Sequence, residues 1–176
     1  MIKIDDMMTR HPQTLTADHC VGDAQTLMNK HDIRHIPIVD HSHHLIGLVS
    51  HRDILRAQES CLLNDACEQS SILTSAIGKL MSRRIMTVAP DAGLRESAIY
   101  MQKHKVGCLP VVENNKLIGI ITDSDFVSIA INLLELQENE HQSSDQDSLL
   151  KKLDSIEGVI NNDTNSKSDN LKEFWE

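Results

Sequence analysis

The sequence predicts an α+β fold, with an α/β-like order of elements, made of two tandem β-α-β-β-α repeats. Three observations predict it: the chain matches itself at a fixed offset, each half contains two apolar runs joined by a polar turn, and apolar residues precede those runs at helical spacing. The 176 residues are 40% apolar and 24% charged. That length and composition are sufficient for an ordinary buried core.

The internal repeat is the strongest pattern in the chain. When the sequence is shifted by 73 residues, Met8 coincides with Met81 and Pro37 with Pro110. The offset becomes 72 after the first hairpin turn, so that residues 45–47 align with 117–119. Between residues 4–55 and 77–127, 14 aligned positions are identical. A register held over this length with one single-residue shift indicates a duplicated structural unit.

Each repeat has the same predicted order of elements. A short extended piece (residues 13–15 and 86–88) precedes a capping aspartate, Asp18 or Asp91, and an amphipathic helix. Two apolar runs follow, and the polar turn at 113–116 between the second pair suits positive φ. A second helix is expected immediately after Ser50 and Thr122.

These elements divide the chain into four parts. We predict repeat 1 over residues 1–60, a connection over 61–76, repeat 2 over 77–136 and an acidic tail over 137–176. Of the net charge of −9, residues 135–176 carry −7 and the body only −2. Within the tail, residues 148–157 could form a short helix, and the rest is expected to be disordered.

The charge distribution and the hydropathy exclude several classes of function. Neither part has the basic face that nucleic-acid binding needs, and aromatic residues make up only 2% of the chain. No stretch approaches the length of a membrane span, and the first residues lack an apolar secretion segment. We therefore expect a cytoplasmic protein with reduced thiols, and neither nucleic acid nor membrane as a partner.

Two segments in each repeat carry a family resemblance. The residues IRHIPIVD (33–40) with GLVSHRDIL (47–55), and VGCLPVVE (106–113) with GIITDSDF (119–126), resemble the CBS-domain signature. Two such units in tandem resemble a Bateman module, similar to the small bacterial CBS proteins of the acetoin-utilisation type. The resemblance covers residues 1–134.

The resemblance implies a fold, a ligand class and an assembly. Two CBS repeats are expected to pack through their sheets about a pseudo-twofold axis, which leaves two clefts for an adenosine-containing ligand: AMP, ADP, ATP or S-adenosylmethionine. Such modules often form homodimers and act as sensors on another protein. We therefore expect a regulatory nucleotide-binding protein rather than an enzyme, with no catalytic cofactor and with a regulated partner that the sequence does not name.

The resemblance also implies candidate ligand-binding residues. Asp53 and Asp125 match the family position that holds ribose, and a carboxylate can accept from both hydroxyls through its two oxygens. Arg34 and Arg52 match positions that often contact phosphate, and their counterparts are Gly107 and Ser124, so equal use of both clefts is in doubt. The remaining candidates are Thr14, Leu15, His35, Ile36, Pro37, Ser50, Arg83, Arg84, Thr87, Val88, Cys108, Leu109, Pro110 and Thr122.

Two alternatives remain open on the sequence alone. Asp53 and Asp125 could be helix caps without a ligand, which would favour a ligand-free scaffold or interaction module. His41, His43 and His44 crowd one turn and are weak candidates for a metal site in a metal-responsive protein. Catalysis by Ser50 and His51 is disfavoured, because consecutive strand residues face opposite sides.

Overall fold

The computed structural model describes residues 2–62 and 72–139. The connection over 63–71 and the predicted tail helix over 148–157 lie outside the described residues. The chain forms two compact units: Met1–Phe126, which holds almost all of both repeats, and a second unit that begins at Val127. In the described part of the second unit, residues 127–139 are helical.

The elements of the first repeat follow the predicted order. α1 (Ile4–Met7) and β1 (Thr9–Arg10) lead into α2 (Val21–His31), the hairpin β2 (His35–Val39) and β3 (Leu45–Ser50), and α3 (His51–Leu62). The predicted strand at residues 13–15 contributes only an isolated parallel bridge, from Leu15 to Ile38. The core of this repeat includes the apolar face of α2 predicted from helical spacing.

The second repeat reproduces this order. A 3-10 turn, η1 (Ile77–Lys79), precedes α4 (Leu94–His104), β4 (Cys108–Glu113) and β5 (Lys116–Thr122), and residues 123–139 are helical. Val88 forms the parallel bridge to Val111 that corresponds to Leu15 and Ile38. In the β4–β5 turn, Asn114 and Asn115 have φ of 49° and 63°, as the polar turn predicted.

The segments that lead into the repeats, residues 2–13 and 75–86, are exchanged between them. Thr9 pairs with Ile120 of β5 in the second repeat, and Ser82 pairs with Leu48 of β3 in the first. The backbone N–H of Ile4 donates to Ala92, whereas that of Ile77 donates to His19. Because equivalent residues make equivalent crossings, the two repeats are related by pseudo-twofold symmetry.

Two glycines allow the exchanged segments to approach the sheets closely. A Cβ atom on Gly47 would lie 2.9 Å from Cγ of Met81, and one on Gly119 would lie 3.1 Å from Cγ of Met8. Met8 and Met81 are 8% and 7% exposed, so each methionine fills the space that a strand side chain would occupy. A side chain at either strand position would therefore have to displace the methionine that covers it.

The helix caps differ from the sequence prediction. Cys20 rather than Asp18 is the N-cap of α2, and its backbone N–H donates to the Asp23 carboxylate over 2.9 Å. Gly93 rather than Asp91 is the N-cap of α4. The prediction of Asp18 and Asp91 as caps was therefore wrong by two residues, because each aspartate lies in the turn that precedes the cap.

Cys20 and Cys108 are free thiols, whereas Cys61 is disulfide-bonded in this structure. The expectation that every thiol is reduced was therefore wrong for Cys61.

In residues 2–62 and 72–139, no helix is both long enough and apolar enough to cross a bilayer.

Candidate functional site

Two clefts open beside the strand-to-helix junctions of the two repeats. The first, here the Asp125 cleft, has a volume of about 740 Å³ and is lined by Thr122, Ser124 and Asp125 of the second repeat. The second, the Asp53 cleft, has a volume of about 660 Å³ and is lined by Ser50, Arg52 and Asp53 of the first repeat. Arg34, His35 and Asp123 line both clefts, so the two cavities are neighbours across the pseudo-twofold axis.

Each cleft combines groups from both repeats. In the Asp125 cleft, the motif of repeat 2 faces the lead-in residues His11–Gln13 and the helix end at Asp32 from repeat 1. In the Asp53 cleft, the motif of repeat 1 faces Arg84–Met86 and Lys105 from repeat 2. This arrangement follows from the exchange of the lead-in segments, which brings each one to the sheet of the other repeat.

The two aspartates form the same capping arrangement. Oδ2 of Asp53 accepts from the backbone N–H of Ser50 over 2.9 Å and from its hydroxyl over 2.6 Å. Oδ2 of Asp125 accepts from the Thr122 N–H and hydroxyl over 2.7 and 2.8 Å. In the described part of the chain, Oδ1 of neither carboxylate accepts a hydrogen bond. The cap therefore uses one oxygen of each half-buried carboxylate and leaves the second available at the cleft.

Arg34, His35 and Asp123 connect the two clefts. The Arg34 guanidinium donates to the hydroxyl of Ser124 over 3.3 Å, across the two repeats. Gly107 permits a close approach here, since a Cβ atom on it would lie 3.1 Å from the His35 ring and 3.7 Å from Oδ2 of Asp123. A side chain at position 107, which aligns with Arg34, would therefore crowd the His35 ring.

Burial governs the titration of two groups at this junction. It lowers the pKa of His35 by opposing the imidazolium, although the Asp123 carboxylate acts in the opposite direction. Burial also raises the pKa of the Cys108 thiol to about 12, and the negative charge of Asp123 adds to this effect. Cys108 is therefore a protonated thiol at neutral pH and not a nucleophile.

The predicted site residues fall into three groups. Eleven of them line the two clefts: Arg34, His35, Ser50, Arg52, Asp53, Arg84, Gly107, Cys108, Thr122, Ser124 and Asp125. Two line a third cavity of about 470 Å³, between the hairpin turns: Arg83 and Thr87. Seven line none of these three cavities: Thr14, Leu15, Ile36, Pro37, Val88, Leu109 and Pro110.

The predicted adenine contacts differ most from the structure. Ile36 and Leu109 are 0% and 2% exposed and belong to the hydrophobic core, so neither side chain offers a surface to a ligand. Leu15 and Val88 form the parallel bridges at the sheet edges. The side chains of Ile36 and Leu109 thus lie in the core, whereas those of Leu15 and Val88 are half-buried.

Sequence reasoning missed several residues that line the Asp53 cleft: Leu55, Arg56, Met86 and Lys105. Arg56 follows Arg52 by one helical turn, a spacing that places both on one face of α3. Leu55 and Met86 are 42% and 44% exposed despite being large and apolar. The helical spacing could have identified Arg56, whereas Met86 reaches the cleft only through the exchange of segments and Lys105 through the packing of the two repeats.

The histidine turn is held by hydrogen bonds of its own. Asp40 accepts from the backbone N–H groups of Ser42 and His44, and its Oδ2 contacts Nδ1 of His44 at 3.1 Å. These backbone N–H bonds, that of His44 first, lower the pKa of Asp40. Among the described residues, no three potential metal ligands converge. His41, His43 and His44 therefore have a sufficient structural role as a hairpin turn.

Comparison with known proteins identifies the class. A model of the CBS domain matches residues 4–60 and again residues 77–132. The chain therefore belongs to the CBS-domain family, with two CBS repeats in tandem.

Solved structures give a narrower similarity. A Vibrio cholerae protein assigned to acetoin utilization (AcuB) is 57% identical over 79% of this chain and 97% of its own, with a TM-score of 0.69. The CBS pair of protein MJ0100, in complex with 5'-methylthioadenosine and S-adenosyl-L-methionine, is 26% identical over 75% of this chain and 98% of its own (TM-score 0.64). CBSX2 in complex with AMP is 27% identical over 76% of this chain and 98% of its own (TM-score 0.64).

Curated relatives share only their CBS region with this chain. Homoserine O-acetyltransferase of Methanococcus vannielii is 29% identical over 120 residues, which are 68% of this chain and 23% of that enzyme. Inosine-5'-monophosphate dehydrogenase of Halalkalibacterium halodurans is 32% identical over 121 residues, 68% of this chain and 22% of that enzyme. The chain thus spans about a quarter of the length of these relatives.

Proposed function

We propose that this chain is a regulatory module that binds an adenosine-containing ligand, such as AMP, ADP, ATP or S-adenosylmethionine, and acts on a partner protein rather than catalysing a reaction. One observation carries the proposal: the same carboxylate arrangement occurs twice, each time at the mouth of a cleft and each time with one oxygen not used by the cap.

The free carboxylate oxygen fits the chemistry of a ribose. A diol presents two O–H donors, and a carboxylate accepts them without a competing donor of its own. Asp53 and Asp125 are positioned by the hydroxyl and N–H of the residue three places earlier, so little side-chain entropy remains to be lost when the ligand binds. The aspartates would therefore act as preorganised acceptors.

The size of the clefts and the neighbouring structures support the same ligand class. Volumes of about 740 and 660 Å³ lie in the range of small-molecule sites. Two CBS pairs of similar fold hold AMP, or 5'-methylthioadenosine and S-adenosylmethionine. These compounds share an adenosine core, which is the part that a ribose-binding carboxylate would recognise.

The composite clefts suggest how binding would be transmitted. A ligand in the Asp53 cleft would touch α3 of repeat 1 and Lys105 at the end of α4 in repeat 2. It would therefore favour one relative arrangement of the repeats, by as much as its affinities for the two arrangements differ.

Calorimetry on the full chain tests the proposal. We expect AMP, ADP, ATP or S-adenosylmethionine to bind in the micromolar range, about −8 kcal/mol. Asp53→Asn and Asp125→Asn should each weaken one cleft by roughly 1.5–3 kcal/mol, the loss for charge-assisted hydrogen bonds. Asparagine retains an oxygen that can accept the capping N–H, so thermal unfolding of both variants should stay close to that of the wild type.

Two results would overturn the proposal in different ways. Absence of binding by all four compounds below millimolar concentration would favour the ligand-free scaffold. Stabilisation by zinc, nickel or copper alone, abolished by His43→Ala with His44→Ala, would favour the metal-responsive protein. If nucleotides bind and neither Asp→Asn change weakens their binding, the chain is still a nucleotide-binding module, but Asp53 and Asp125 do not hold the ribose.

A homodimer is part of the proposal. Val127, Ile131 and Leu134 recur at helical spacing and are 59%, 49% and 59% exposed, which leaves an apolar stripe facing outward. A second copy of the chain would cover this stripe through a twofold contact. We expect light scattering to give a dimer mass at micromolar concentration and Ile131→Glu to give a monomer. A monomeric wild type would contradict the assembly.

A further inference from the structure

The two clefts carry opposite charge although they are built from equivalent positions. Five cationic side chains line the Asp53 cleft, against the two carboxylates of Asp53 and Asp123. The cations are Arg34, Arg52, Arg56, Arg84 and Lys105. With histidine counted as neutral, the Asp125 cleft has Arg34 as its one cation against Asp32, Asp123 and Asp125; its lining also includes His11, His31 and His35.

This difference arises position by position. Lys105 of the Asp53 cleft corresponds to Asp32 of the Asp125 cleft, Arg84 to His11, and Arg52 to Ser124. Lys105 and Asp32 both end their helices with left-handed backbone, φ of 55° and 52°, so the two side chains leave equivalent points of the fold. Three equivalent positions thus each place more positive charge in the Asp53 cleft.

The cations of the Asp53 cleft are available to a ligand. All five are exposed, and in the described part of the chain none forms an ion pair with a carboxylate. Arg52 and Arg56 lie one turn apart at the start of α3, whose first N–H groups add partial positive charge. Such a cluster repels itself unless an anion binds it, because like charges in a shared cavity raise each other's energy.

The same cleft also offers an apolar surface. Leu55 and Met86 line it and are 42% and 44% exposed. The residue equivalent to Met86 in the other cleft is Gln13. The Asp53 cleft therefore combines a surface for a base, a carboxylate for a ribose and a cluster of cations beside them.

We propose that the two clefts take different ligands: the Asp53 cleft binds a nucleoside di- or triphosphate through its cation cluster, whereas the Asp125 cleft rejects a phosphate chain and takes an uncharged or cationic adenosyl compound. This inference rests on the proposed function, since it assumes that both clefts bind adenosine-containing ligands. It adds that one chain can be occupied by two different ligands at once.

Exchanging equivalent residues between the repeats tests whether the two clefts bind different ligands. Calorimetry on the full chain, with ATP, adenosine and S-adenosylmethionine as probes, should give one ATP per chain. Asp53→Asn should weaken ATP binding at that site by roughly ten- to a hundredfold, and Asp125→Asn should leave it unchanged. Two exchanges are tested: Lys105→Asp alone, and Arg52→Ser combined with Arg84→His. Each should lower the affinity for ATP about tenfold or more and change the affinity for adenosine by less than about twofold. Aspartate tolerates the left-handed backbone at position 105, so the fold should be retained.

The control variant is Arg95→Ser, an exposed cation on α4 that lines neither cleft and should leave ATP binding unchanged. ATP affinity should fall with rising salt, between roughly 50 and 300 mM, while adenosine affinity stays constant. If the chain has two equivalent ATP sites, or if the exchange variants bind ATP like the wild type, the two clefts do not differ in ligand. Either result would leave the proposed function unaffected. Failure of all three probes to bind would overturn both.

Discussion

Asp32 of the Asp125 cleft and Lys105 of the Asp53 cleft occupy the same place in the two repeats. Each ends its helix in the left-handed region, and each backbone N–H returns to the carbonyl of a buried methionine, Met28 or Met101. Their side chains carry opposite charge and line different clefts. The backbone conformation is fixed by the need to end the helix, whereas the side chain has diverged with the chemistry of the cleft.

The residues that stabilise the fold, in contrast to those that line the clefts, are alike in the two repeats. Gly47 and Gly119 occur in both repeats, as do the methionines that cover them and the Ser/Thr–Asp pairs that cap the following helices. The comparison teaches that duplication has preserved the close approaches and the caps, while the lining of the clefts has changed. Substitutions at equivalent positions should therefore match in their effect on stability and differ in their effect on binding.

The largest matched effect is expected at the two glycines. Gly47→Ala and Gly119→Ala should each destabilise the protein by about 1–3 kcal/mol, because the new methyl group would overlap the buried methionine above it. The free energy of unfolding from urea titration would measure both. A loss of stability in only one of the two variants would show that the two close approaches of methionine to glycine are not equivalent.

A double mutant separates this overlap from other causes. Met81→Ala removes the side chain that the methyl group of Gly47→Ala would meet. If the overlap is the cause, the double variant should lose less stability than the two single losses combined. Strict additivity would show that the cost of Gly47→Ala has another origin.

A smaller matched effect is expected at the caps. Ser50→Ala and Thr122→Val each remove a hydroxyl that donates to an aspartate and accepts from its backbone N–H, over 3.2 and 3.4 Å respectively. Each change should cost about 1 kcal/mol. The control is Ser60→Ala, an exposed hydroxyl on α3 that bonds only within its helix and should change stability little. If the control and the cap variants lose equal stability, the hydroxyls of Ser50 and Thr122 do not act as helix caps.

The sequence was sufficient for most of the local structure of both repeats, but not for the helix caps or for the strand predicted at residues 13–15. The hairpins, the helices that follow them and the positive φ at Asn114 and Asn115 could all be predicted, since they depend on apolar periodicity and turn chemistry within a few residues. The two aspartates at the cleft mouths could be found because their motif occurs twice.

The full composition of each cleft could not be predicted, although eleven predicted residues line the two clefts. It depends on the pairing of Thr9 with β5 and of Ser82 with β3, contacts that join residues far apart in the chain and leave no local pattern. For the same reason, Met86 was missed, and Lys105 was missed because its place in the cleft depends on the packing of the two repeats. The predicted contacts Ile36 and Leu109 are buried. An apolar run shows that residues are buried, but it does not show which of them reach a cleft.

The smallest effect concerns the junction between the clefts, where His35 of repeat 1 corresponds to Cys108 of repeat 2. Burial lowers the pKa of His35, with Arg34 and Arg52 acting in the same direction and Asp123 and Asp53 opposing it. In the unfolded chain, His35 takes up a proton near its ordinary pKa of about 6.5, whereas the folded protein does so only at a lower pH. Between these two pKa values, the unfolded state binds more protons, so the free energy of unfolding falls as the pH drops below about 6.5 and is unaffected by this group above it. Cys108 contributes nothing in this range because its thiol ionises only near pH 12.

His35→Gln should therefore remove part of the loss of stability between pH 7.5 and 5.5, as measured by urea unfolding at several pH values in that range. Because the two proteins differ only at position 35, the decisive quantity is the difference between the two curves. Parallel curves would mean that His35 is no harder to protonate in the folded protein than in the unfolded chain.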